Sequence, residues 1–158
     1  MVDIAKLRKD FETALLSAKA ESVELKTLQP LQDLLILQRG KKIRLHDEGL
    51  PVRNWLHADD TAEAVMSIID SGTVNEIYNV AGGFEQKNID TVLKVIDNFH
   101  ESEYKWEEHV DFSYSREGQD VRYALNDDKL RALGWTPKKK FDEEIYDIVQ
   151  YYKQNFIW

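Results

Sequence analysis

The sequence contains no cysteine, which excludes disulfides, thiolate nucleophiles and cysteine-ligated zinc sites. It also lacks any apolar run near the roughly 20 residues that a membrane-spanning helix needs. Charged residues occupy the N-terminal segment, where a signal peptide would have its apolar region. We therefore expect a cytoplasmic protein that depends on packing alone and does not contact a membrane.

Positive charge is scarce, since 21 lysines and arginines stand against 29 acidic residues, for a net charge of −8. This balance disfavours nucleic acid as a partner, because phosphate-tracking surfaces need clustered basic side chains. Residues 39–53 are the exception, and their basic members are Arg39, Lys41, Lys42, Arg44 and Arg53. Such a cluster is typical either of a small-anion site or of a solvated strand edge.

The length of 158 residues and the hydrophobic share of 42% predict one folded domain with its own core. Helices are predicted where apolar residues recur at helical spacing, over 3–20, 28–38, 60–71, 88–99, 126–133 and 142–155. Strands are predicted over 41–45, 52–57, 76–80, 110–114 and 121–125. The fold class is therefore α/β, a single small mixed domain of short strands and helices over 27–158 after an N-terminal helical extension over 1–26.

Capping side chains predict where three of the helices begin. Asp60, with Glu63 three residues later, has the pattern of a capping box. Asn88 is predicted to cap the next helix, and either Asn126 or Asp127 the short one after it. These residues are thus expected to satisfy backbone N–H groups of their own helices.

Other conspicuous side chains have structural explanations as well as functional ones. The pair Asp59-Asp60 could suggest a metal, but helix capping explains it with less assumption, and we expect no metal site. His57 has no evident catalytic partner, which favours a hydrogen-bonded structural histidine. Trp55 and Trp135 could stack on a base, yet aromatic residues beside turns more often anchor a core.

Three sequence blocks point to a family. They are GLPVRNWLHADDTAEAV, EIYNVAGGFEQKNIDTVLKVI and REGQDVRYALNDDKLRALGWTP, in this order along the chain. Together they resemble the C-terminal portion of the dTDP-glucose 4,6-dehydratases, which belong to the extended short-chain dehydrogenase family of nucleotide-sugar enzymes. The resemblance runs from about Leu28 to the C-terminus. It implies a substrate domain that holds a nucleotide sugar of the dTDP-hexose class.

The resemblance also implies which residues bind the ligand. Arg53 would contact the diphosphate, Asn79 would lie near the substrate, and the Ile43 to Leu45 strand would pass beside the base. The loop from Arg116 to Asp120 would close over the nucleotide. Arginine suits this role because its planar guanidinium matches phosphate oxygens in pairs. The alternative for either arginine is a surface ion pair.

Much of the family's chemical machinery is missing from the sequence. The chain has no glycine-rich fingerprint for NAD, and no tyrosine is followed by lysine four residues later. We therefore expect no catalytic residue and no cofactor in this chain, with NAD entering only through a separate Rossmann subunit. Glu48, Glu117, Gln119 and Thr61 depart from the family pattern, and the two glutamates would weaken diphosphate binding.

Three hypotheses follow from this mixture of matched and missing features. The first is a nucleotide-sugar-binding domain without turnover of its own. The second is one subunit of a split NAD-dependent dehydratase, and the third is a structural or dimerisation remnant of the fold. The helix over 3–20 is expected to cover apolar surface, either within one chain or by pairing two chains.

Overall fold

The computed structural model describes residues 28–115, 117–118 and 120–155, with the side chains of 28–32 excepted. The predicted helix over 3–20 and the extension over 1–26 lie outside these residues. The helices are α1 Leu28–Gln38, α2 Ala58–Ser71, α3 Asn88–Phe99, α4 Asp128–Arg131 and α5 Phe141–Asn155. The strands are β1 Ile43–His46, β2 Val52–Trp55, β3 Phe84–Lys87 and β4 Val110–Tyr114. Within the described ranges, no helix has the length and apolar character needed to cross a membrane.

The described residues divide into two compact units, which do not follow the chain order. The larger unit consists of residues 28–55, Gly83–Ala124 and 140–155. The smaller unit consists of Leu56–Gly82 and Leu125–Lys139. Short strands and helices alternate in the larger unit, which confirms the predicted mixed α/β class.

The larger unit contains two small sheets. In one, β1 pairs with β4 in parallel, with Ile43 opposite Val110. In the other, β2 pairs with β3 in antiparallel register, with Trp55 opposite Phe84. Side chains of β1 alternate as a half-buried strand requires, because Ile43 and Leu45 are buried while Arg44 is exposed.

Helices α1, α3 and α5 pack together around the core of the larger unit. The predicted apolar stripe of α3 is the centre of this core, because Val92, Val95 and Ile96 are all buried. The remaining buried members are Leu34, Leu37, Ile43, Leu45, Val110, Ile145, Val149 and Tyr152. Burial of these side chains is the main stabilising contribution in the unit.

A tight turn, Asp47–Gly49, connects β1 to β2. All three of its residues have positive φ, at 48° for Asp47, 56° for Glu48 and 71° for Gly49. A Cβ atom at Gly49 would lie 2.8 Å from the Cβ of Ile89, so only glycine fits there. The positive φ values of the two acidic residues mark a strained backbone next to the strand that carries Arg53.

The smaller unit forms around α2 and a second cluster of buried residues. Ala64, Leu130 and Trp135 are its buried members, and Tyr78 and Val80 pack against them. Asp60 is almost completely buried, and its carboxylate accepts the backbone N–H groups of Lys138 at 2.9 Å and Lys139 at 3.0 Å. The segment after Trp135 is thereby tied to the first turn of α2.

The predicted capping role of Asp60 is wrong. Helix α2 begins earlier, at Ala58, and its cap is His57, whose Nδ1 accepts the backbone N–H of Asp59 at 3.1 Å. The prediction of a hydrogen-bonded structural histidine is therefore confirmed. Asp60 fits a capping pattern locally, but its carboxylate is directed to a segment that lies far away in sequence.

Two other helix starts can be compared with the predicted caps. Helix α3 begins at Asn88 itself, so the capping position belongs to Lys87 and the predicted cap is displaced by one residue. For α4 the capping position belongs to Asp127, whose side chain makes no capping bond. Asn126, one residue earlier, provides the bond instead, since its Oδ1 accepts the backbone N–H of Asp128 at 2.8 Å. Asp127 instead pairs with Arg131 one turn later, at 2.8 Å.

Two predicted strands are wrong and one strand was missed. Residues 76–80 have no regular secondary structure, and 121–125 contain only a bridge between Arg122 and Val52. Extended segments become strands only where a partner completes the hydrogen-bond ladder. Conversely, Phe84–Lys87 has three polar residues and no alternating pattern, yet pairing with β2 makes it a strand.

Candidate functional site

Arg53, the first predicted diphosphate ligand, lies in the middle of β2 in the larger unit. On one side β2 pairs with β3, where Gln86 is opposite Arg53. On the other side the backbone N–H of Val52 donates to Val121 O at 2.8 Å, and Tyr123 N–H donates to Val52 O at 3.2 Å. The backbone of β2 is thus held between two extended segments.

The guanidinium of Arg53 is fixed by three contacts. Its Nη1 donates to Val52 O at 2.8 Å and to Asp120 O at 3.2 Å. Its Cζ lies 4.3 Å from the ring centroid of Tyr123, a cation–π contact. Both hydrogen bonds leave from Nη1, so within the described residues the Nε and Nη2 donors are not engaged. These two nitrogens form the flat edge that can donate to two oxygens of one phosphate.

Asp120 positions this arginine. Its carbonyl accepts from Arg53, and its carboxylate accepts the Tyr123 hydroxyl. The second contact keeps the aromatic ring under the guanidinium. Asp120 therefore acts through Arg53 and Tyr123, and Tyr123 is a residue that the sequence analysis missed. Its only sequence signal was its place in the third matched block.

The loop that contains Arg116 is tied at both ends. Ser115 Oγ donates to Asp47 Oδ1 at 3.0 Å, and Asp120 O accepts from Arg53. Arg116 itself and Gln119 lie outside the described residues, so the predicted convergence of Arg53 and Arg116 stays a prediction. Glu117 and Glu48 are both exposed.

Ile43 and Leu45 are each 1% exposed in the core, so their side chains face away from solvent. The exposed residue of β1 is Arg44, whose Cζ lies 4.5 Å from the ring centroid of Tyr114. A ligand beside β1 would thus meet Arg44 and backbone atoms. The predicted role of this strand beside a base stays a prediction.

Asp111 on β4 lies near two basic side chains, Arg44 and Lys42. Hydrogen bonds from Ser113 lower the pKa of Asp111, and the nearby charges of Arg44 and Lys42 lower it further. Arg44 and Lys42 are both exposed. Four members of the basic cluster seen in the sequence are thus exposed, namely Arg39, Lys41, Lys42 and Arg44, whereas Arg53 is partly buried.

Asn79 belongs to the smaller unit, where it makes a structural contact. Its Nδ2 donates to Asn126 O at 3.0 Å, beside the start of α4. None of the described residues donates a hydrogen bond to its side-chain oxygen. The predicted role of Asn79 near a substrate is neither supported nor opposed by this bond.

Both tryptophans singled out in the sequence pack against other residues. Trp135 is buried, and its Nε1 donates to Asp60 O at 3.1 Å. Trp55 packs edge-on against Phe141, with ring centroids 5.7 Å apart. The interpretation as a core anchor is therefore confirmed for Trp135. For Trp55, which belongs to neither described core cluster, it stays a prediction.

The described residues do not fit a dinucleotide cofactor. A pyrophosphate of that kind binds where a glycine-rich turn leads from a strand into a helix N-terminus. The adjacent glycines Gly82 and Gly83 lead into β3 instead, and helices α2 and α3 follow His57 and Lys87. Within the same residues, no group of three or more histidine or acidic side chains could hold a metal ion.

Comparison with known proteins places these observations in a family context. Residues 23–148 match the family model described as GDP-mannose 4,6 dehydratase. The chain is 36% identical over 135 residues to dTDP-glucose 4,6-dehydratase 1 of Escherichia coli (strain K12), covering 83% of this chain and 37% of that protein. It is 34% identical over 123 residues to human dTDP-D-glucose 4,6-dehydratase, covering 77% of this chain and 35% of that protein. The chain thus spans little more than a third of the length of these relatives.

Solved structures agree with the sequence matches. DesIV, a dTDP-glucose 4,6-dehydratase from Streptomyces venezuelae with NAD and TYD bound, superposes with a TM-score of 0.71 at 29% identity, covering 78% of this chain and 38% of that one. UDP-glucose 4-epimerase from Thermotoga maritima with UDP-glucose gives a TM-score of 0.66 at 21% identity, covering 78% and 38%. The second likeness concerns the fold alone. The resemblance deduced from the three sequence blocks is confirmed.

Proposed function

Because this chain belongs to the GDP-mannose 4,6 dehydratase family, we propose that it binds a nucleotide sugar of the dTDP-hexose class and does not turn it over by itself. The proposal rests on one observation, the fixed guanidinium of Arg53, whose Nε and Nη2 edge is left open by the described residues. A diphosphate would accept two hydrogen bonds from this edge. The substrate class comes from the relatives, several of which are named as acting on dTDP-glucose.

Preorganisation of Arg53 supports the proposal energetically. A free arginine side chain loses rotamer entropy when it binds an anion, at a cost of about 0.5–1.5 kcal/mol. Here the contacts to Val52, Asp120 and Tyr123 hold the side chain before any ligand arrives. A diphosphate would therefore gain the charged hydrogen bonds without most of that cost.

The proposed lack of turnover rests on motifs that the sequence does not contain. The family's chemistry requires NAD, and neither the glycine-rich fingerprint nor a tyrosine with lysine four residues later occurs in the chain. This chain's own contribution is therefore to bind and orient the ligand. Arg53 would hold the diphosphate, and Asp120 and Tyr123 would keep Arg53 in place.

Titration calorimetry with dTDP, dTDP-glucose and thymidine tests this function. We expect the wild-type protein to prefer dTDP over thymidine, because only dTDP carries the diphosphate. Arg53→Lys should weaken dTDP binding roughly tenfold or more, since a charged hydrogen bond contributes about 1.5–3 kcal/mol and lysine cannot donate in pairs. Thymidine binding should change little.

Arg39→Ala is the matched control, because Arg39 is an exposed arginine of the same basic cluster. It should leave the preference for dTDP intact. No heat from the wild-type protein at millimolar dTDP would contradict the proposal. Equal loss of affinity for thymidine and dTDP in Arg53→Lys would also contradict it, since the arginine would then act on the fold.

A second function, one subunit of a split dehydratase, is favoured by the coverage of the relatives. The chain accounts for only 37% of the Escherichia coli enzyme, and the similar DesIV structure holds NAD. On this hypothesis a separately encoded Rossmann subunit supplies NAD and the catalytic groups. Formation of a 4-keto sugar when the two chains are mixed, and by neither alone, would establish it.

A further inference from the structure

Two histidines of the larger unit are in contact at the ends of the segment that joins α3 to β4. His100 directly follows α3, and His109 directly precedes β4. Their ring centroids are 4.4 Å apart. The two imidazoles therefore close residues 101–108 into a loop.

Tyr104 adds a third ring from within this loop. It stacks on His100, with ring centroids 4.7 Å apart and planes inclined by 24°. Its hydroxyl donates to Asp97 of α3. The ring of His100 thus contacts both Tyr104 and His109, and these three side chains are called the histidine cluster below.

The histidine cluster connects the end of α3 to the start of β4. The carbonyl oxygen of His109 accepts the backbone N–H of Ile43 at 2.8 Å, and Ile43 is opposite Val110 in the sheet. The end of α3 is also held by α5, because Lys153 Nζ donates to Phe99 O at 2.9 Å. A change in the cluster would therefore act on the backbone between β1 and the loop.

The surroundings of His100 oppose a positive charge on its ring. Its Nε2 is shielded from solvent and has no hydrogen-bond partner among the described residues. Burial lowers the pKa of His100 below its ordinary value of 6.5, and the charges of His109 and Lys153 lower it further. A protonated ring would lack water as a partner and would lie near two like charges.

The acidic groups near the histidine cluster do not offset this effect. Glu101 pairs with Lys153 at 3.0 Å, and its side chain is 85% exposed, so solvent screens its charge. Asp97 accepts the hydroxyl of Tyr104. Within the described residues, neither carboxylate makes a hydrogen bond to an imidazole of the cluster.

We propose that the histidine cluster is a pH-sensitive latch, which holds residues 101–108 against the end of α3 at neutral pH and releases them in acid. In the closed loop both imidazoles are neutral and pack against each other. In the open loop water solvates each ring, so each accepts a proton more readily. The open state therefore binds more protons once the pH falls below about 6.5, and the equilibrium shifts towards opening.

This inference goes beyond the proposed function, which concerns Arg53. Either one can fail without the other, because the test of the latch uses no nucleotide. Titration of the nucleotide at neutral pH, conversely, leaves the latch closed.

Amide hydrogen exchange of the full-length protein at pH 7 and pH 5 tests the latch, with protection factors corrected for the intrinsic exchange rate. The amide of Ile43 is the reporter, because its acceptor belongs to His109. Its protection should fall at least about threefold at pH 5, since one extra proton in the open state can shift the equilibrium by up to about tenfold per pH unit. The amide of Val52 is the reference and should keep its protection, because it donates to Val121 O at the same distance of 2.8 Å.

Substitutions assign the effect to the two imidazoles. His100→Phe keeps a ring in the cluster but binds no proton, and it should bring the difference in Ile43 protection below about twofold. His109→Phe should reduce the difference as well, because it removes one of the repelling charges. His57→Asn is the matched control, since it removes a histidine of the smaller unit while asparagine can still cap α2. It should keep the wild-type difference.

An NMR titration of the imidazole signals tests the wild-type protein without any substitution. His100 and His109 should titrate in two separate steps, because a proton on one ring opposes a proton on the other.

Four results would overturn the proposal. Equal protection of Ile43 at both pH values would mean that the loop stays closed in acid. A loss of protection at Val52 as large as that at Ile43 would indicate a global change. An unchanged difference in both phenylalanine variants would assign the effect to another group. A single common titration step would show that the two rings do not act on each other.

Discussion

The wild-type protein should lose stability as the pH rises from 5 to 8, and replacement of Asp33 with asparagine should abolish most of that loss. Asp33 lies in α1 and is 4% exposed, and its Oδ2 has no hydrogen-bond partner within the described residues. Burial raises the pKa of Asp33 from 3.8 to about 7. The folded protein therefore holds this carboxyl in its neutral form at a pH where the unfolded chain ionises it.

The direction of the pH dependence follows from this raised pKa. Below the unfolded pKa of 3.8 both states are protonated, and Asp33 costs nothing. As the pH rises towards 7 the unfolded state loses a proton that the folded state keeps, so the free energy of unfolding falls. One pKa unit corresponds to about 1.4 kcal/mol, so the total loss is about 4 kcal/mol, of which roughly 2–3 kcal/mol falls between pH 5 and pH 8.

Urea denaturation at pH 5 and pH 8 measures this effect. Asp33→Asn should be more stable than the wild-type protein at pH 8 by a few kcal/mol, and the difference should shrink towards pH 4. Asp147→Asn, which changes an exposed aspartate of α5, is the control and should follow the wild-type curve. An unchanged pH slope in Asp33→Asn would mean that Asp33 ionises normally in the folded protein.

Substitution of Asp60 should destabilise the smaller unit strongly. The Asp60 carboxylate is buried and accepts two backbone N–H groups, those of Lys138 and Lys139. Asp60→Ala removes both of these acceptors. The expected loss is about 2–4 kcal/mol, because charged hydrogen bonds contribute about 1.5–3 kcal/mol each and do not add fully.

Two further variants make this prediction specific. Asp60→Asn keeps one oxygen acceptor and should lose less than Asp60→Ala. Asp59→Ala changes the exposed neighbour and should stay within about 0.5 kcal/mol of the wild-type protein, as surface changes usually do. In thermal denaturation the loss of stability should be largest for Asp60→Ala, smaller for Asp60→Asn and smallest for Asp59→Ala. Equal effects of Asp59→Ala and Asp60→Ala would indicate that only the charge of the helix start matters.

The helices illustrate what local sequence can predict. The stripe of Val92, Val95 and Ile96 predicts α3 and its buried face, because helical spacing alone decides which side chains share a side. Local sequence fails for residues 76–80, which were predicted to form a strand but have no partner strand in the described residues. It fails in the opposite direction for β3, where pairing with β2 overrides a polar sequence.

The candidate site likewise has features that local sequence predicts and features that depend on distant residues. The matched block around VRNW identifies Arg53, and guanidinium chemistry suggests its ligand. The contacts of the guanidinium cannot be read from that block alone. Asp120, whose carbonyl accepts from Nη1, is 67 residues away from Arg53, and Tyr123, whose ring lies against the guanidinium, is in the same distant segment. Asp60 is similar, since its acceptors serve Lys138 and Lys139 far along the chain.

By itself, the sequence determined the family, the α/β class, the positions of the long helices and the identity of Arg53 as a phosphate-binding candidate. These features depend on residue type and on short-range spacing, which can be read along the chain. The tertiary structure alone decided which extended segments became strands, where Asp60 directs its carboxylate and which groups hold Nη1 of Arg53. Those outcomes depend on hydrogen-bond partners that are distant in sequence, and only folding brings such partners together.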